Sequence, residues 1–171
     1  VRRDKARIAD GSIRNREVVE HPGGAAVRSW DDVPPGCAAD ILRGAGCVVL
    51  GPGMGRGKGV IPLVEALLSV KGRPPFVIDA DALNALADAP SMLALLREDD
   101  ILTPHPGEAG RLLGISAAEV QGGRFEAAAA LAGLARAVWV LKGEGTLIAL
   151  PGGPAVISPW SVPQLAVAGS G

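Results

Sequence analysis

From Gly46 onward the chain alternates between short unbroken apolar runs and longer stretches in which apolar residues recur every three or four positions. The runs are GCVVL (46–50), PPFVID (74–79), DILT (100–103) and AVWVLK (137–142). Unbroken runs of this length are what strands buried on both faces of a parallel sheet require. The stretch 60–71 predicts a helix with Leu63, Leu67 and Leu68 on one face, and Pro62 falls in its first turn, where proline is tolerated. Further helices are predicted over 81–87, over 91–97 with Ser91 as N-cap, over 106–113 closed by Gly114, and over 125–136. Ser116 and Glu119 have the spacing of a capping box opening one more. A helical turn is predicted over 38–42, begun near Pro34 and Pro35.

After residue 142 the pattern changes. TLIAL (146–150) and AVIS (155–158) flank Pro151-Gly152-Gly153 and read as a β-hairpin. Before Pro34 only two interrupted segments, VRRDKARIAD (1–10) and REVVEHPGG (16–24), have room for short strands. The order of strands and helices predicts an α/β protein. Its expected form is a three-layer α/β/α sandwich around a mostly parallel sheet, with an antiparallel hairpin near the C-terminus. One domain is expected over residues 1–171.

Composition narrows the partners. The 171 residues are 48% hydrophobic and 20% charged, with a net charge of −1, so no basic surface marks a nucleic-acid binder. No stretch approaches the roughly 20 apolar residues of a membrane span. Cys37 and Cys47 fit neither a zinc pattern nor a disulfide framework, and a reduced, cytoplasmic setting is expected.

The distinctive loops all follow strands, and in an open α/β sheet ligands bind at the carboxyl ends of the strands. Gly51-Pro52-Gly53-Met54-Gly55 lets backbone approach a ligand closely, or is simply a flexible turn. It is not a Walker A loop: Pro52 stands where the first glycine is needed and Gly59 follows Lys58. The dinucleotide fingerprint fails at Arg56. Asp79 and Asp81 put two carboxylates at a strand end, where one suits Mg²⁺ while Asp81 also suits an N-cap. In Thr103-Pro104-His105-Pro106-Gly107-Glu108 two prolines stiffen the loop around His105, which suits contact with a polar ligand, or His105 is an ordinary loop residue. Glu108 also suits a helix dipole. His21 has no partner in view and reads as surface. Lys142 ends a buried strand with a cation suited to phosphate, flanked by Gly143 and Gly145; the alternative is a hairpin turn with a solvated lysine.

These loops, in this order, resemble the ADP- or ATP-dependent NAD(P)H-hydrate dehydratases, a branch of the ribokinase-like superfamily. The resemblance runs through GPGMGRG (51–57), VIDADALNAL (77–86), ILTPHPGEAGRLLG (101–114), VLKGEGTLIA (140–149) and VAGSG (167–171), and covers roughly residues 38–171. It implies a repair reaction. The hydroxyl on a hydrated nicotinamide ring of NADH or NADPH is phosphorylated by ADP or ATP with Mg²⁺, and phosphate then leaves as the ring double bond returns. The implied substrate-binding set is Gly51, Gly53, Gly55, Asp79, Asn84, His105 and Glu108. The implied nucleotide-binding set is Lys142, Gly143, Glu144, Gly145 and Thr146, with Gly169, Ser170 and Gly171 as an anion-holding turn. No residue is assigned as a protein ligand of a metal.

The resemblance places the catalytic base, an Asp, just beyond Gly171, where this sequence stops. The expectation is therefore an incomplete domain that is inactive by these residues alone. A homo-oligomer, often a tetramer, is also implied. The competing readings are a small-molecule hydroxyl kinase of the same superfamily, of the thiazole or hydroxymethylpyrimidine type, and a nucleotide- or partner-binding protein without catalysis.

Overall fold

The computed structural model describes Trp30, residues 33–153 and residues 155–157. The strand readings within 1–10 and 16–24, His21, and the turn Gly169–Gly171 lie outside the described residues.

Six strands form one sheet in the order β1 (Val48–Leu50), β2 (Phe76–Ile78), β3 (Ile101–Leu102), β4 (Val138–Leu141), β5 (Leu147–Ala149) and β6 (Val156–Ile157). The first four are parallel, whereas β4–β5 and β5–β6 are antiparallel. The parallel ladder with an antiparallel C-terminal margin is the expected mixed sheet. The turn Pro151-Gly152-Gly153 closes β5 onto β6, with Gly152 at φ 67° and the Gly153 N–H donating to Leu150 O.

The helices are α1 (Ala38–Ile41), α2 (Val60–Ser69), α3 (Ala80–Asp88), α4 (Pro106–Leu113), α5 (Ala117–Gly122) and α6 (Arg124–Leu134). Helix α4 has the expected span and the expected stop at Gly114, which at φ 71° terminates it in the left-handed region; His105 caps it, a role the sequence reading did not give that residue. Ser116 and Glu119 form the expected capping box of α5, each accepting from the other's backbone N–H. The helix expected over 91–97 is instead a 3-10 helix, Pro90–Leu95, capped by Ala89 without a side-chain bond, so Ser91 is not its N-cap. The physical reason is Pro90. Its ring fixes the first helical φ and pushes Ala89 out of the α region, so the helix starts one residue before Ser91.

Neighbouring strands in chain order joined by right-handed crossovers place their helices on one face. The helices pack in that sequence, α2 on α3, α3 on α4 and α4 on α6. The sheet residues turned toward them are fully buried: Phe76, Ile78, Leu102, Trp139, Leu141 and Leu147. The register puts Val49, Val77, Ile101, Val138, Val140, Ile148 and Val156 on the opposite face. Among the described residues that face is open, with Val49 67% and Val156 57% exposed. The described residues thus supply the sheet and one helical layer. The apolar opposite face is the kind of surface that the second helical layer of an α/β/α sandwich buries.

The amino ends of the strands are tied by a buried ion pair. Arg73 donates from Nη1 and Nη2 to the two carboxylate oxygens of Asp100 at 2.7 and 2.6 Å, with both side chains almost fully enclosed. Asp100 also accepts from the backbone N–H of Phe76 and of Arg97, and the Arg73 guanidinium stacks 4.5 Å over the Phe76 ring. Every polar atom of the pair is answered, which is the condition under which a buried charge pair is tolerated.

Candidate functional site

The carboxyl ends of β1 to β4 form one margin, and the ladder continues past the strands there. Asp79 N–H donates to Leu50 O, Thr103 N–H to Ile78 O and Lys142 N–H to Pro104 O, at 3.0, 3.0 and 2.8 Å. Each residue that follows a strand is thereby fixed to its neighbour, so four loops distant in sequence share one edge.

Two loops meet at the start of α3. Asp81 Oδ2 accepts from the Gly55 N–H at 2.7 Å, docking the glycine loop on the helix. Asp81 is therefore neither the N-cap nor a free carboxylate; Asp79 occupies the N-cap position, without a capping bond from its side chain. Gly51 sits at φ 123°, and a Cβ there would lie 1.8 Å from Asp79 O and 2.9 Å from Ala82, so glycine is mandatory. Gly53 and Gly55 also have positive φ, but a Cβ on either would enter open space. These two face open space rather than the core. Gly55, Asp81 and Asn84 line a shallow pocket beside α2. Asn84 is held from the other side, its Oδ1 accepting from Arg111 Nη1 at 2.5 Å.

Between Asp79 and Asp81, Ala80 has φ 50°, the sole positive-φ residue other than glycine among the described residues. For an L-residue this conformation carries a cost of roughly 1–2 kcal/mol. The reversal sends the two carboxylates to different partners: Asp81 to the glycine loop, Asp79 toward β4.

The second group is ionic. Lys142 Nζ donates to Asp79 Oδ1 at 2.6 Å and lies 4.0 Å from Glu108 Oε2. Glu108 is buried, and its Oε2 also accepts from the His105 N–H at 2.9 Å, closing the capping box of α4. His105 Nδ1 accepts from the Gly107 N–H. With Nδ1 accepting, the proton of the neutral ring sits on Nε2, which is 3.3 Å from Glu108 Oε1. One Glu108 side chain thus closes the cap of α4 and also stands beside Lys142. The imidazole itself is half exposed. The lysine is not a solvated turn residue: it bridges the ends of β2, β3 and β4.

The turn from Lys142 to Thr146 is braced from α6. Arg124 Nη2 donates to the carbonyls of Leu141, Lys142 and Gly145 at 3.3, 3.4 and 3.2 Å. Nothing in the sequence links Arg124 to a turn eighteen residues on, and the sequence reading does not include it. Ala80 was missed for the same kind of reason, because alanine carries no side-chain chemistry to flag a strained backbone.

Asp79 and Asp81 are the acidic pair that suits Mg²⁺ by residue type. Asp79 is engaged by Lys142 and Asp81 by the Gly55 N–H, and among the described residues no cluster of three or more His, Cys, Asp or Glu residues could hold an ion. The described side chains do not fit a protein-held metal. Mg²⁺ suits such a margin when nucleotide phosphates and water supply most of its oxygens.

Residues 25–171 match the family described as NAD(P)H-hydrate dehydratase. The chain belongs to this family. A bifunctional NAD(P)H-hydrate repair enzyme Nnr from Moorella thermoacetica is 42% identical over 159 residues, covering 93% of this chain and 29% of that protein. A solved ADP/ATP-dependent NAD(P)H-hydrate dehydratase from Bacillus subtilis, co-crystallised with ATP/Mg²⁺ and soaked with CoA, is 31% identical with a TM-score of 0.60, over 82% of this chain and 48% of that one. A ribokinase-like superfamily protein from Enterococcus faecalis, 20% identical with a TM-score of 0.62, shares the fold over 86% of this chain. The chain thus spans less than half the length of these relatives and half of the third. As a NAD(P)H-hydrate dehydratase family member it carries the Asp79, His105, Glu108 and Lys142 cluster at the margin where α/β folds bind ligands.

Proposed function

We propose that this chain is part of an enzyme that restores hydrated NADH or NADPH, using an adenine nucleotide to phosphorylate the ring hydroxyl. The observation that carries the reading is the bridge of Lys142 to Asp79 and Glu108, with His105 beside Glu108, in a member of this family. In this reading it joins the two halves that the reaction brings together. The glycine loop and His105 offer a polar, open surface to a hydrated nicotinamide nucleotide. Lys142 and the turn through Thr146 offer a cation and backbone donors to a phosphate chain.

The chemistry is phosphoryl transfer followed by elimination. The ring hydroxyl oxygen attacks the terminal phosphorus of ADP or ATP, forming a phosphate ester and releasing AMP or ADP. The hydroxyl proton passes to a base, which the resemblance assigns to an Asp beyond Gly171. The C–O bond then breaks, inorganic phosphate leaves, a ring proton is lost, and the double bond returns. Phosphorylation converts a poor leaving group into a good one, and the protein chiefly positions groups and neutralises charge. In this reading Gly51, Gly53, Gly55, Asp79, Asn84, His105 and Glu108 serve the hydrated substrate. Residues Lys142 to Thr146, with Gly169 to Gly171, serve the nucleotide, and Mg²⁺ travels with its phosphates. The same reading sets the protein in the cytoplasm as a homo-oligomer. Among the described residues no helix is long and apolar enough to cross a membrane, and Cys47 is an exposed thiol, which suits a reducing compartment.

The test uses the complete gene product, purified hydrated NADPH and Mg²⁺, with ADP or ATP, and follows the return of reduced-nicotinamide absorbance. Recovery with a nucleotide supports the reading, and the more effective one identifies the donor. No recovery with either, together with phosphorylation of a vitamin-precursor alcohol, replaces it with the hydroxyl-kinase reading.

A further inference from the structure

Arg124 is the first residue of α6, and its half-buried guanidinium lies under the turn that follows β4. Three carbonyls of that region, Leu141, Lys142 and Gly145, are turned toward it. A trans peptide points its N–H opposite to its C=O. The N–H of Gly143, which shares a peptide with Lys142 O, and the N–H of Thr146, which shares one with Gly145 O, therefore point away from the guanidinium. Gly143 and Gly145 have φ 136° and 62°, conformations that glycine adopts readily, and Thr146 Oγ1 donates to Gly143 O across the turn at 3.0 Å. A Cβ on Gly143 would lie 2.8 Å from Arg124 Nη1, so the guanidinium occupies the space a side chain there would need.

Like Arg111, which meets the Asn84 amide oxygen, Arg124 meets no carboxylate among the described residues. Arg43, Arg56, Arg73, Arg97 and Arg136 each meet a carboxylate. Among the described residues, Arg124 meets only the neutral oxygens of three carbonyls and of the Gln121 side chain. A cation without a carboxylate, behind a turn whose N–H groups face outward, favours an anion on the far side of that turn.

We infer that Arg124 is a positioning residue for an adenine nucleotide's phosphates. It fixes the Lys142–Thr146 turn by its carbonyls, so that the outward N–H groups and Lys142 are presented together. Its effect is on the nucleotide and not on the hydrated substrate, whose expected contacts lie in the segments that follow β1, β2 and β3. This inference rests on the repair reading above and adds to it a residue that acts through the turn.

The experiment compares Arg124→Ala and Arg124→Lys with the wild-type complete protein. KM is measured separately for the nucleotide and for hydrated NADPH, and melting temperature is recorded. The expected result for Arg124→Ala is a nucleotide KM raised about tenfold, with the hydrated-substrate KM within about twofold. Arg124→Lys keeps the charge but not the fork, and recovers part of the loss. Should Arg124→Ala fail to fold, the lysine variant alone still shows a selective rise in nucleotide KM. An unchanged nucleotide KM, or an equal rise in both KM values, overturns the inference. Wild-type protein that dehydrates nothing with either nucleotide overturns the repair reading instead. The bracing is then read without nucleotide, by amide exchange at 142–146, where faster exchange in the folded variant is expected and unchanged exchange overturns it.

Discussion

Lys142 Nζ lies 2.6 Å from Asp79 Oδ1, joining the ends of β4 and β2 across 63 residues of sequence. The pair is partly exposed, 39% and 30%, so its direct contribution to stability is small, and its value lies in where it holds the ammonium. Lys142→Met and Asp79→Asn are each expected to lower kcat/KM for the proposed dehydration, with the double variant no worse than the poorer single. A double-mutant cycle should return a coupling of about 1 kcal/mol. Strictly additive losses would show that the two residues act separately.

The glycine loop offers a contrast between neighbours. A methyl on Gly51 meets Asp79 O at 1.8 Å, whereas one on Gly53 meets nothing within 4 Å. Gly51→Ala is expected to destabilise the protein by about 3 kcal/mol or more, through a backbone clash in a packed region. Gly53→Ala is expected to cost only the strain of a positive φ, about 1–2 kcal/mol, and, on the proposed reading, to lower activity by placing a methyl in the open space beside the loop. Chemical denaturation of both, paired with activity for Gly53→Ala, separates folding from function.

Asp100 predicts the acid limb of stability. Burial pushes its carboxyl up, but the Arg73 guanidinium and the Phe76 and Arg97 amides outweigh this and hold it below the ordinary value. A depressed folded pKa means a contribution fully present above the unfolded value, near about 4, and lost as pH falls below it through the folded pKa. Asp100→Asn should cost about 3–5 kcal/mol at neutral pH, because it strands a buried guanidinium. It should also flatten the decline in stability below that pH. Urea melts of both proteins at neutral and acidic pH measure each effect.

Ala80 at φ 50° predicts a stabilising substitution inside the site. Glycine adopts that conformation without the Cβ penalty, which outweighs its greater unfolded-state entropy, so Ala80→Gly should raise stability by a few tenths to about 1 kcal/mol. A higher melting midpoint with the Asp79–Lys142 pair retained supports strain at this residue. A lower midpoint would show that the reversal is relaxed.

Much of the local structure was legible in the chain. The four apolar runs became β1 to β4, and the Pro106 start and Gly114 stop of α4 fell where backbone chemistry puts them. The Ser116–Glu119 box formed as its spacing required. The Ser91 cap failed because proline's constraint on the preceding residue outranked a hydroxyl's capping preference. The convergence of four loops was legible too, because strand order and crossover hand leave few ways to arrange them.

What the sequence alone determined was therefore whatever depends on near neighbours: strand and helix identity, caps, turns, and the loops that carry polar groups. Only the tertiary structure decided who meets whom. Lys142 is claimed by Asp79, Asp81 by the Gly55 amide, Glu108 by both a helix cap and the ionic cluster, and Arg124 by a turn on another element. The physical reason is that these partnerships join residues that strand register brings together across the sheet margin. A hydrogen bond over such a distance is set by packing, and leaves no periodicity in the chain to read.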